Sequence, residues 1–141
     1  FYFVDKSGRP APVRRFRAVD WRGRAADDPS LRFDDARNWA LVEAWMTDPR
    51  ARVEHVFVAK PIRARLLAHA RAKGVYLPVL HRASIALKQP SGGLAHDDHF
   101  HVRVACPRSQ RGVCLADPPK RGSRERRALV DRPKRGKNEH R

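Results

Sequence analysis

Short apolar runs at the start of this chain and again at residues 99–105 frame a middle section whose apolar residues recur at helical spacing. The opening FYFVD is aromatic and β-branched, and KSGRP closes it with turn chemistry, which predicts a strand and its terminating turn. Residues 11–33 are Arg-rich and carry no clear period, with one candidate short strand at RRFRAV. Asp34 or Asp35 then caps a predicted helix running to about Met46. Trp39, Ala40, Leu41, Val42, Ala44, Trp45 and Met46 cover nearly its whole circumference, the pattern of a buried core helix. RVEHVFVA follows as a strand.

Pro61 at a first-turn position and Gly74 after the last turn bracket a second helix. Its stripe is Ile62, Leu66 and Ala70, with Arg63, Arg65, Arg71 and Lys73 on the wet side. A third short helix is expected around Arg82 to Leu87, then a loop at KQPSGGLAHDD and a last strand at HFHVRVA. The order is α+β: a small antiparallel sheet carrying the final strand, packed with about three helices. No repeat and no interdomain linker interrupts residues 1–119, so these form one expected domain.

Composition changes the picture mainly at the end of the chain. An apolar content of 41% and three tryptophans argue against wholesale disorder, and no apolar run approaches a membrane span. The net charge of +16 invites a nucleic-acid reading. Its distribution weakens that reading, because residues 120–141 alone hold ten Lys or Arg against three acids and almost nothing apolar. That segment cannot offset its ordering entropy and is expected to be a disordered basic tail. The aromatics lie mainly in core-like positions by this reading, so no specific nucleic-acid partner is expected. FYFV is an element-like start with no initiating methionine or signal segment, as expected of a processed or truncated chain.

Cys106 and Cys114 lie eight apart in CPRSQRGVC, in neither a CxxC pair nor a zinc-finger spacing. They read either as two unrelated buried thiols or, given Pro107 and Gly112 between them, as a closed disulfide hairpin in an oxidising compartment.

Three of seven histidines fall within HDDHFH, residues 96–101. On a strand, alternate side chains share a face, so His99, His101, Arg103 and Ala105 would point one way and Phe100, Val102 and Val104 toward the core. Two imidazoles two residues apart can converge on one divalent cation, with His96 closing from the loop and Asp97 and Asp98 orienting the rings. A bare HxH also arises by chance on an exposed edge strand, and spacing alone leaves both readings open. His55 and His69 read as packed structural residues, and His81 as a neighbour of a helix cap.

The segment QPSGGLAHDDHFHVRVACP resembles the C-terminal signature of the penicillin-insensitive murein endopeptidases, whose catalytic strand reads close to HDDHFHVR. The likeness extends back through residues 32–74 to FYFVDKSGRP, covering residues 1–119. The family is similar in its active site to zinc D-alanyl-D-alanine peptidases, lysostaphin-type enzymes and hedgehog domains. The resemblance implies a zinc metallopeptidase of the periplasm that cuts D-alanyl–meso-diaminopimelyl cross-bridges of peptidoglycan. It makes His101 a zinc ligand, His99 the catalytic partner of the zinc-bound water, and His96 a site-lining residue. The family's other two ligands, a His and an Asp separated by six residues, have no counterpart in this sequence. One ligand of three is therefore expected, and an inactive chain. A catalytically dead wall-binding domain and a basic nucleic-acid-binding module are the alternatives.

Overall fold

The computed structural model describes residues 1–92, 94–110 and 114. It divides into a unit from Phe1 to Ala105 and a second unit from Cys106 onward. The expected disordered tail at 120–141, and the expected boundary before it, lie outside the described residues.

The first unit is α+β, with a four-stranded antiparallel sheet, three helices and a three-stranded sheet. In the first sheet, β1 (Phe3–Val4) pairs with β2 (Pro10–Ala11) and with β4 (Asp28–Phe33), and β4 pairs with β3 (Arg24–Ala25). The β1–β2 turn is held by the Asp5 carboxylate, which accepts from the backbone N–H groups of Ser7 and Arg9 at 2.8 and 3.0 Å. The strand expected at 14–19 is replaced by an isolated bridge, Val19 to Ala25, and β4 forms where no strand was expected. DPSLRF has little β-propensity, and its order comes from pairing on both sides.

Helix α1 (Asp35–Thr47) starts at Asp34, whose side chain accepts from Arg37 N–H at 3.0 Å. It is buried on one side only. Trp39, Val42 and Met46 enter the core, whereas Ala40 and Ala44 are exposed, so the all-round burial read from the sequence is corrected. Alanine favours a helix through its low entropy cost and needs no burial to do so. Asn38, fully buried, clips this helix to the start of the chain through the Tyr2 backbone.

Strand β5 (Val53–Phe57) precedes α2 (Lys60–Ala72), which has Pro61 in its first turn and Gly74 at φ +64° beyond its end. Two of its expected wet-side arginines make tertiary contacts. Arg63 donates to the Leu87 and Ser84 carbonyls at the end of the next helix, at 2.8 and 2.9 Å. Arg65 forms a two-pronged pair with Asp35 in the first turn of α1, at 3.0 and 2.6 Å. Helix α3 (Leu77–Ala86) starts five residues earlier than expected, with Pro78 in its first turn, so exposed His81 lies within the helix.

The second sheet has the order β6-β5-β7, with β6 (Leu87–Lys88) parallel and β7 (His101–Val104) antiparallel to β5. Leu87, Val56 and Val102 stand in one transverse row facing the helices, with Leu87 and Val56 fully buried. The next row, Lys88, Phe57 and His101, faces outward. β7 is shorter than the predicted strand, and Val104 is 54% exposed instead of facing the core. The β5–β7 register shifts between Val53 and His55, and Val104 lies beyond that shift.

In the second unit, Cys106 and Cys114 form a disulfide with their Cα atoms 5.8 Å apart. Among the described residues no helix is long and apolar enough to cross a membrane.

Candidate active site

The loop before β7 is fixed at its backbone before any side chain is considered. The His96 carbonyl accepts from Ala59 N–H at 3.0 Å, and the Asp97 carbonyl accepts from Val19 N–H at 2.8 Å. His96 itself adopts φ +53°, a left-handed conformation uncommon for a residue with a Cβ. That turn reverses the chain so that the rings of His96, His99 and His101 gather. The His96 ring centroid lies 5.2 Å from that of His99 and 5.3 Å, stacked, from that of His101.

Hydrogen bonding sets the direction of each ring. His96 Nδ1 contacts the Leu94 carbonyl at 2.8 Å, and a carbonyl can only accept, so Nδ1 carries a proton. In the neutral ring, His96 Nε2 is then an acceptor, facing His101 Nδ1 at 3.2 Å. His101 therefore turns its Nε2 lone pair outward. His99 Nδ1 meets the Asp98 carboxylate at 2.5 Å, which likewise leaves His99 Nε2 as an open proton acceptor.

His99 precedes β7 in a bend, so it does not alternate with His101 along one strand as the sequence suggested. Its ring lies 5.2 Å from Phe16, a side chain 72% exposed that the sequence gave no reason to select. Asp98 orients His99, while Asp97 acts through its backbone carbonyl. Arg103 lies opposite His55 and 3.5 Å from the Glu54 carboxylate. Beneath the loop, Phe100 packs edge-on against Phe1 and Trp45, at 4.8 and 5.4 Å between centroids. A hollow of about 460 Å³ lined by Phe1, Val13, Arg14, Arg15 and Phe16 reaches the site through Phe16.

The donor set fits a zinc ion in part. Zinc–imidazole bonds of about 2.0–2.1 Å at a tetrahedral angle hold two nitrogens roughly 3.3 Å apart. The 3.2 Å between His96 Nε2 and His101 Nδ1 suits either that bite or a direct hydrogen bond. Among the described residues, however, no group of three or more His, Cys, Asp or Glu side chains converges as a metal site. A catalytic zinc takes three protein ligands plus water, so these residues do not complete one.

Sequence reasoning missed the residues behind His101. Phe57 faces both His101 and His96, with ring centroids 5.4 and 6.2 Å away. Lys88 and His55 border Phe57 on its other side. Only the β6-β5-β7 register brings these residues together. No protein-family model matches the chain, and no curated protein or solved structure matches it significantly.

Proposed function

We propose that this protein carries the HxH portion of a zinc-dependent murein endopeptidase site directed at D-alanyl–meso-diaminopimelyl cross-bridges of peptidoglycan in the periplasm. The observation that carries the reading is the packing of the His99 and His101 rings against the His96 ring, at 5.2 and 5.3 Å between centroids, with Asp98 behind His99. On this reading the two histidines of HFH have separate roles. His99, its Nδ1–H held by Asp98, presents Nε2 to accept a proton from an attacking water and return it to a leaving amine. His101, aligned by His96, is the metal-binding member. The disulfide between Cys106 and Cys114 is compatible with an exported protein.

Because the sequence contains no His-x6-Asp, the chain is expected to bind zinc weakly and to leave cross-linked muropeptides uncut. The test supplies that pair on a strand fused ahead of Phe1, then measures zinc content and muropeptide cleavage. His101→Ala should lose metal and cleavage together. His99→Ala should keep most of the metal and lose turnover by about 10²–10⁴-fold. Reversed effects would exchange the two roles. If the fusion sediments with peptidoglycan but cuts nothing, a wall-binding domain replaces the enzyme reading. Retention of duplex DNA in place of peptidoglycan would favour the basic-module alternative.

A further inference from the structure

The outward row of the second sheet contains one cation that the proposed chemistry leaves unused. Lys88 on β6 stands in register with Phe57, which stands in register with His101. The Lys88 ammonium lies 5.8 Å from the Phe57 ring centroid and 3.1 Å from His55 Nε2. An ammonium can only donate, so His55 Nε2 accepts, and the neutral ring carries its proton on Nδ1. That Nδ1 is buried without a hydrogen-bond partner. Holding Lys88 in place thus leaves a buried donor unsatisfied, an arrangement that costs stability. Of the three ammonium protons, one serves His55, and the other two meet no acceptor among the described residues.

We infer that Lys88 is a carboxylate-binding residue of the same site, seating a carboxylate of the peptide whose reacting bond lies at His99 and His101. The inference rests on the peptidase reading and adds a substrate contact to it. Lys88 and His101 flank one aromatic ring, which places them at most about 11 Å apart, the reach of about three extended residues. Phe57 supplies an apolar floor between them. A nucleic-acid backbone suits this row less well. A phosphate-tracking surface needs a stripe of cations, whereas here the neighbouring Arg103 lies 3.5 Å from the Glu54 carboxylate.

The test uses the full chain and a short peptide ending in D-alanyl-D-alanine, as the free acid and as the C-terminal amide. Affinities are read by heteronuclear NMR titration. The acid should bind about ten-fold tighter than the amide, a difference of about 1.4 kcal/mol. Lys88→Gln should remove that preference, Lys88→Arg should restore it, and His99→Ala should leave it intact. Equal binding of acid and amide by the unaltered protein would overturn the inference, as would a preference that survives Lys88→Gln. Shifts at Lys88 produced by short duplex DNA but not by the acid would also overturn it. None of these outcomes depends on zinc or cleavage, so Lys88 can fail while the endopeptidase reading stands.

Discussion

Replacing Asn38 with alanine tests whether one buried amide holds the start of the chain against α1. Its Nδ2 donates to the Tyr2 and Asp34 carbonyls at 2.8 and 2.9 Å, and its Oδ1 accepts from Tyr2 N–H at 3.0 Å. The three lost bonds are not equivalent. Asp34 O still accepts from the Asn38 backbone, and Tyr2 O still accepts from Asp34 N–H. Only Tyr2 N–H is orphaned, at a cost of about 1–2 kcal/mol, because Tyr2 is 48% exposed and water reaches nearby. The two carbonyl bonds contribute about 0.5–1 kcal/mol each, which brings the total to roughly 2–4 kcal/mol. For a domain of this size that corresponds to a fall in Tm of roughly 10–20 °C, measured by circular dichroism. Asn38→Asp should be worse than Asn38→Ala, since a buried carboxylate would replace two donated hydrogen bonds with repulsion from two carbonyls. A change below about 0.5 kcal/mol for Asn38→Ala, or the reverse order, would refute this account.

Gly23→Ala should destabilise the first unit by about 1–2 kcal/mol, because Gly23 sits at φ +80° and an added Cβ would lie 2.5 Å from the Arg65 guanidinium carbon. Part of that cost should vanish in the Arg65→Ala background, as a double-mutant cycle on Tm would show. The carboxyls of Asp5, Asp27, Asp28 and Asp48 all lie below their ordinary value of 3.8, chiefly through hydrogen bonds from Ser7, Arg17, Ser30 and Arg50 respectively. Their contribution to stability is complete above that ordinary value and is lost as pH falls through the lowered ones, so Tm should drop on acidification below about pH 4. A Tm that holds or rises there would contradict these pairings. Non-reducing mass spectrometry should find Cys106 and Cys114 lacking two hydrogens relative to the reduced protein, and two titratable thiols would refute the bond.

The sequence made the helices legible where caps and prolines punctuate it, as at Asp34, Pro61 and Gly74. It misled where alanine stood for core, at Ala40 and Ala44, and where arginine stood for surface, at Arg63 and Arg65. The planar guanidinium can leave a helix face and satisfy carbonyls or a carboxylate on a neighbouring element, which no periodicity encodes. β4 was illegible because pairing on both sides, not propensity, orders it. The candidate site divides the same way. His96, Asp98, His99 and His101 lie within one hexapeptide and could be picked out by eye. His55, Phe57 and Lys88 become neighbours of His101 only once parallel and antiparallel pairings meet on β5.

The histidine cluster is therefore a property of the assembled unit more than of its own segment. Three consecutive constraints hold HDDHFH: the left-handed turn at His96, its carbonyl on the N-terminal residue flanking α2, and the Asp97 carbonyl on the Val19 bridge. Removing either backbone anchor would let the loop swing while β7 stayed paired, and the His96–His101 contact would be lost first. His101 sits on the sheet, whereas His96 and His99 sit on the anchored loop, so the spacing among the rings reports how well loop and sheet are joined. Phe100 reinforces that joint by placing its ring against Phe1 and Trp45, tying the loop's far end to the start of the chain and to α1. An arrangement held by residues as far apart in sequence as Val19, Trp45 and Ala59 needs the whole fold to exist. A peptide spanning residues 92–105 would keep the motif and lose the geometry, because the backbone anchors of the His96 turn, at Ala59 and Val19, lie outside it.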